Sequence, residues 1–498
     1  MFKQNNGSAY KLILLATSVL MFACSDKVDV VSGTPSQQDE QQISDIAKVS
    51  HLPGSTLMLN SLAELTVESL RSREYKSAIT IEQTLHTLDT TNDYTKHYFD
   101  NENRYNSYLS SYDSDGLTLY ARLDIPASPM PTKGYPVVVF IHGWIGINNA
   151  PTYDFNYQAN SNYADVIDGY VKQGFVVVTP GLRGHGSVNG IAADGIEYMQ
   201  AWDNASYLSP MFYTIDTLNL IEGLTSLQSI DWQAFNPKQN AIILNTENIN
   251  ITGHSQGGDV VLTALAISGE DSTVTNHIRT GAIWAGCFLP RFEQAMLYGP
   301  MGNSSEAFLS GDGTWTKSAY GANGEFNANF KFAYPADWIQ FPDNSKQQWT
   351  WQHENWPKAS VKESLMARFT TMYEKLNTQV GDVNAVKFSV TEADNGLVMF
   401  EHDPQIKAMY ANIGGFEQVK YLTEPLYLHH SDRDYYSPSY WNKTLADNIN
   451  ASGGKAKNFE YIGNTHNLGT SKYQWFSPQG SVAGFNQMMA TNIELFTH

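Results

Sequence analysis

The sequence predicts an α/β fold, a mainly parallel sheet flanked by helices, on three observations. Val137-Val138-Val139-Phe140-Ile141 and Phe175-Val176-Val177-Val178-Thr179 are continuous apolar runs, as in strands covered on both faces. A helix-like stretch from Tyr163 to Gln173 separates them, and further short strand candidates follow at Ile249 to Gly253, Ala282 to Ala285, Leu426 to Leu428 and Phe459 to Ile462. Finally, the β-branched run Asn248-Ile249-Asn250-Ile251-Thr252 feeds Gly253-His254-Ser255-Gln256-Gly257, and apolar Val260 to Ile267 comes next. That is a strand, a sharp turn and a helix.

At 498 residues the chain can bury a large core, and its length alone would allow two or three domains. It is 42% hydrophobic and 16% charged, as folded globular proteins are. The net charge of −19 argues against electrostatic binding to nucleic acid or to an anionic membrane face. The two cysteines, Cys24 and Cys287, do not suggest a structural disulfide, because Cys24 lies in a targeting segment. Cys287 ends the run Ala282-Ile283-Trp284-Ala285-Gly286, where an inert, buried thiol is expected.

In chain order, residues 1–23 read as a signal peptide. Lys3 and Lys11 precede the apolar run Leu12 to Ala23, about a dozen residues and too short to span a bilayer. Leu20-Met21-Phe22-Ala23-Cys24-Ser25-Asp26 resembles a bacterial lipobox. The resemblance implies lipidation at Cys24 and an exported lipoprotein of the outer membrane, with a soluble periplasmic or secreted protein as the alternative. Residues 24–55, rich in Ser, Gln, Asp and Glu, read as a flexible tether. Residues 56–133 form an N-terminal extension. It holds helical pieces such as Leu62 to Leu70, then a hairpin of Asn106 to Tyr112 and Leu117 to Leu123 around Asp113-Ser114-Asp115-Gly116. Residues 134–290 and 421–498 are the two parts of the α/β core. Between them, 291–420 is an aromatic-rich insertion expected to cap the strand ends, with Trp315, Phe326, Phe330, Phe332, Tyr334, Trp338, Phe341, Trp349, Trp351 and Trp356. Val361 to Leu376 reads as a helix opened by a Ser360/Glu363 capping box.

In its strand–turn–helix setting, Gly253-x-Ser255-x-Gly257 reads as a nucleophile elbow, with Ser255 at the positive end of a helix. A serine alkoxide does not form unaided at neutral pH, so Ser255 needs a base, and the base needs an orienting carboxylate. His466, in Gly463-Asn464-Thr465-His466-Asn467 after the last strand, is the candidate base. His254, His429 and His430 read as structural or rim residues, and the terminal His498 carries little weight. The acid lies in the polar turn after Leu426-Tyr427-Leu428, where Asp432 and Asp434 compete. The oxyanion hole needs two backbone N–H donors, one of them from Gln256, the residue after the nucleophile. The loop His142-Gly143-Trp144 after the first apolar strand is the place for the second. Gly181-Leu182-Arg183-Gly184-His185-Gly186-Ser187 lacks the Lys-Ser/Thr of a phosphate loop.

Together, Tyr135 to Gly143, Arg183 to Ser187, Gly253 to Gly258, Trp284-Ala285-Gly286, Leu428-His429-His430 and His466-Asn467 resemble α/β-hydrolases of the prolyl oligopeptidase-like group (peptidase S9, dienelactone hydrolase-like). The resemblance covers about 105–290 and 420–498. It implies the triad order Ser255, acid, His466 and selects Asp434, by alignment of His430-Ser431 through Ser437-Pro438. It implies Trp144 as the second oxyanion donor and a structural part for Arg183 to Ser187. The segment before the core is too short for a gating β-propeller, so oligopeptidase specificity is not implied. The expected activity is that of an exported serine hydrolase cleaving an ester or peptide bond through an acyl-enzyme, without metal or cofactor. The alternatives are a carboxylesterase acting on carbohydrate or lipophilic esters and an inactive binding protein on the same fold.

Overall fold

The computed structural model describes residues 61–85, 105–155, 163–202, 207–237, 240–291, 408–431, 439–461 and 481–498, with short pieces at 294, 325–326, within 370–376, at 388–392, 398–402, 437, 466 and 468. Cys24, the signal peptide and the tether therefore lie outside the described residues, as do Asp432, Asp434, the start of the Val361 helix and most of the insertion's aromatics.

In chain order the strands are β1 (Ile79–Leu85), β2 (Tyr105–Ser114), β3 (Leu117–Pro126), β4 (Tyr135–Ile141), β5 (Val176–Gly181), β6 (Ser187–Val188), β7 (Ile191–Ala192), β8 (Leu244–His254), β9 (Ile278–Trp284), β10 (Glu325–Phe326), β11 (Phe388–Glu392), β12 (Val398–His402), β13 (Leu426–Ser431) and β14 (Ala456–Tyr461). The helices are α1 (Val67–Arg71), α2 (Tyr163–Lys172), α3 (Ile196–Trp202), α4 (Ser209–Gly223), α5 (Gln256–Ser268), α6 (Ser439–Ala451) and α7 (Ser481–Thr497). Among the described residues, nine strands form one sheet in the order β1-β2-β3-β5-β4-β8-β9-β13-β14. From β5 to β14 every pairing is parallel, whereas β1, β2 and β3 make an antiparallel flank. This is the mainly parallel sheet that the sequence predicts.

Each expected core strand is present and longer than its apolar run. The pleat splits β4 between two cores: Val137, Val139 and Ile141 pack with α4 and α5, while Val138 and Phe140 pack with α2 and α7. Both faces of the sheet are thus covered, which is why the central strands read as unbroken apolar runs. The hairpin expected around Asp115-Gly116 forms with φ positive at both residues and continues the main sheet as β2 and β3.

The extension, in which the sequence shows helical pieces and a hairpin, also carries the edge strand β1. Ile79, Ile81 and Leu85 turn inward, but polar Gln83 takes the position between the last two, so the apolar alternation that would have announced the strand is broken there, beside a register shift between Ile81 and Gln83. Of the Leu62 to Leu70 helix, the structure makes a 3-10 turn at Leu62–Leu65 with a Ser61/Glu64 capping box, followed by the short α1. In the insertion, β10, β12 and β11 form a small antiparallel sheet. Met372, Tyr373, Leu376, Tyr410, Ile413 and Phe416 from the same segment join the main core.

Parallel registers bring the carboxyl ends of the central strands to one edge. Ile141 pairs with Gly253, His254 with Trp284, Trp284 with His429 and Ser431 with Tyr461. In open α/β sheets, ligands bind along that edge.

Candidate active site

Ser255 stands at this edge, between the end of β8 and the start of α5, with φ 55° and ψ −122°. Such a conformation costs an L-residue about 1–3 kcal/mol and persists only where its surroundings dictate it. Here its backbone is held on three sides. Its N–H donates to the Trp284 carbonyl at 3.1 Å, and its own carbonyl accepts from Gly258 and Cys287, both at 2.9 Å. The flanking glycines make the turn possible. A Cβ on Gly253 would meet the Gly257 carbonyl oxygen at 2.5 Å, and one on Gly257 would meet those of Ile141 and His142 at 2.4 and 2.5 Å. The spacing Gly-x-Ser-x-Gly is therefore a packing requirement between β4, β8 and α5.

Gln256 is the first residue of α5, where a backbone N–H has no partner within the helix. Across the turn, His142-Gly143-Trp144 leaves the end of β4. Gly143 is packed so tightly that a Cβ there would lie 3.1 Å from that of Ser255. Its N–H donates to the Tyr163 hydroxyl at 2.8 Å, and Trp144, expected to give the second oxyanion donor, is the next residue of the loop. Behind the loop, His142 and His185 are fully buried with rings 5.0 Å apart. Burial, then the neighbouring His185, pushes His142 down to about 3, and burial pushes His185 down to about 4, so both are neutral supports.

His466 lies beyond β14, half-buried, with its ring 4.9 Å from that of His254, the neighbour of Ser255. Its backbone carbonyl faces His254 Nε2 at 3.3 Å. The structure thus brings Ser255, Gln256, Trp144 and His466 to one edge of the sheet. Asp434 and its competitor Asp432 lie outside the described residues, past the end of β13. His429 has a structural place. It is fully buried, paired with the Tyr461 hydroxyl at 2.8 Å and Asn492 Oδ1 at 2.7 Å, and pushed down to about 3 by burial. His254 is likewise buried and held well below the usual histidine range by burial and by His466.

Three charged pairs brace the edge. Arg183 forks onto Asp216 of α4 at 2.6 to 3.1 Å, with its guanidinium 4.4 Å over the Tyr198 ring. This gives the loop from Gly181 to Ser187 the structural part expected of it. Arg122 binds Asp124 and the Phe155 carbonyl, and Arg291 clamps Asp259 in the first turn of α5 at 2.5 and 2.9 Å. Among the described residues no group of His, Cys, Asp and Glu is arranged to hold a metal ion.

Two site neighbours escape a sequence reading. Cys287 Sγ lies 3.5 Å from Ser255 Oγ, so the buried thiol expected at this strand end touches the candidate nucleophile. Tyr163, the first residue of α2, reaches across to Gly143 and His254. Neither carries a local signal, since each depends on which strands become neighbours.

No protein-family model matches the chain, and no curated protein does. Solved structures similar to it include an acylaminoacyl peptidase from Pyrococcus horikoshii, 15% identical over 81% of this chain and 42% of its own, with a TM-score of 0.42. An acetyl xylan esterase from Paenibacillus sp. R4 is 12% identical over 91% of this chain and 98% of its own, with a TM-score of 0.41. Est1E from Butyrivibrio proteoclasticus, with ferulic acid bound, is 15% identical over 78% and 98%, with a TM-score of 0.37. Likenesses of this degree assign no reaction and no substrate.

Proposed function

We propose that the chain is a serine hydrolase that transfers an acyl group from an ester or amide to water, with Ser255, Asp434 and His466 as its triad. The observation that carries the proposal is the strained Ser255, held between β8 and the amino end of α5 by glycines whose spacing the packing requires. Other residues of the chain reach φ near 55°, but Ser255 pairs it with ψ −122°, far from the ordinary left-handed turn conformation. His466 stands close by, and Gln256 and Trp144 supply the N–H groups for an oxyanion hole.

In the reaction proposed, the His466 imidazole takes the Ser255 hydroxyl proton as Oγ bonds to the substrate carbonyl carbon. The carbonyl oxygen becomes an oxyanion facing the two amides. Asp434 orients the imidazole and stabilises its cation. Collapse expels the alcohol or amine, which leaves with the proton from His466. Water then repeats the sequence on the acyl-enzyme, releasing the acid and restoring Ser255. Removing either Ser255 or His466 is expected to lower kcat at least 10³-fold, measured on nitrophenyl esters and aminoacyl-coumarin amides side by side. Turnover of only one of these separates esterase from peptidase, and full activity in Ser255→Ala would refute the mechanism. Asp434→Ala is expected to lose more than Asp432→Ala.

The same reading places the enzyme outside the cytoplasm as a lipoprotein anchored through Cys24, supported by the lipobox-like Ala23-Cys24-Ser25. Palmitate labelling that persists in Cys24→Ala would overturn it.

A further inference from the structure

Beyond the triad, the buried contacts around His254 form a continuous hydrogen-bonded line from the oxyanion loop to the base. Gly143 N–H donates to Tyr163 Oη at 2.8 Å, Tyr163 Oη lies 2.9 Å from His254 Nδ1, and His254 Nε2 lies 3.3 Å from the His466 carbonyl. One proton arrangement satisfies every member. Nε2 faces a carbonyl, which only accepts, so Nε2 carries the hydrogen. The ring is buried and neutral, which leaves Nδ1 bare to accept from the tyrosine hydroxyl. That hydroxyl has its own hydrogen to give and a lone pair for Gly143. The rings are locked as well: Tyr163 packs edge-on to Phe140 at 5.0 Å, and His254 lies 4.2 Å from the Trp284 ring.

We propose that Tyr163 and His254 are positioning residues, which fix the His466 backbone and ring against the oxyanion loop so that base and oxyanion donors keep one geometry. The inference rests on the serine-hydrolase reading. Neither residue touches the reacting atoms. His254 supports the base twice, through its Nε2–H to the His466 carbonyl and through its ring 4.9 Å from the His466 ring. Because burial keeps His254 uncharged, it adds no second positive charge beside His466 when that imidazole takes the serine proton.

The test compares wild type with His254→Gln, His254→Asn and Tyr163→Phe. It measures fluorophosphonate labelling of Ser255 and kcat and KM on a nitrophenyl ester, per folded molecule. The glutamine amide nitrogen reaches the place of Nε2, so His254→Gln is expected to keep its rate within about five-fold, while the shorter asparagine loses about 10²-fold. Tyr163→Phe, which removes only a hydroxyl, is expected to lose about ten-fold in kcat with KM unchanged. A merely space-filling His254 would not separate glutamine from asparagine. Equal rates in those two variants, or wild-type kcat in Tyr163→Phe, would overturn the proposal. If a His254 variant fails to fold, Tyr163→Phe decides alone. No labelling of wild-type Ser255 would sink the hydrolase reading itself. Labelling that His466→Ala abolishes and Tyr163→Phe leaves untouched would sink only this inference.

Discussion

At position 255 the backbone favours one residue and the chemistry another. Glycine occupies φ near 55° without steric cost, whereas serine holds it at about 1–3 kcal/mol. Ser255→Gly is therefore expected to be more stable than wild type by about 1 kcal/mol, after allowance for the looser unfolded chain, and inactive. A urea titration checks this, and a loss of stability would show that the turn stores no strain. The conformation is legible in the sequence because two glycines and a serine at fixed spacing record a close approach of backbone to backbone. His466 is legible in the same way, as a histidine in the loop after a final strand. Tyr163 and Cys287 are not. Their contacts with His254 and Ser255 come from segments 91 and 32 residues apart and leave no local pattern.

Among the elements, the loop after β5 is tied to α4 by Arg183 and Asp216, both fully buried. Ser114 of β2 donates a further hydrogen bond to Asp216 at 2.6 Å, so three segments meet on one carboxylate. Breaking a buried pair strands the remaining charge, and Asp216→Ala is expected to cost about 3–5 kcal/mol in urea unfolding. A loss below about 1 kcal/mol would show that the pair does not brace this edge. The element pattern was readable wherever burial on both faces imposed an apolar run. It failed at β1, where polar Gln83 stands at an inward position, and in the first half of β8, where Asn245, Thr246, Glu247 and Asn248 are partly or fully exposed and leave no apolar mark.

For the molecule as a whole, buried neutral histidines tie stability to pH. His142 and His429 are pushed down to about 3 and His185 to about 4, each chiefly by burial. The unfolded chain takes up these protons near pH 6.5, whereas the fold refuses them until about pH 3–4. Their contribution to stability is therefore fully present above about pH 6.5 and is lost as the pH falls through that window. His429→Gln removes one such group, so its stability should depend less steeply on pH between 6 and 4.5 than that of wild type, by about 1.4 kcal/mol per unit. Parallel slopes would contradict it. The fold class was legible from alternating strands and helices, while the sheet order and the meeting of the ends of β4, β8 and β9 at Ser255 required the assembled molecule. Central to the account is that Ser255 is a nucleophile activated by His466. Mass-spectrometric mapping of a fluorophosphonate adduct tests this most directly. The account predicts a single adduct on the Ser255 peptide in wild type and none in His466→Ala. No adduct in wild type, or one on another residue, would contradict it.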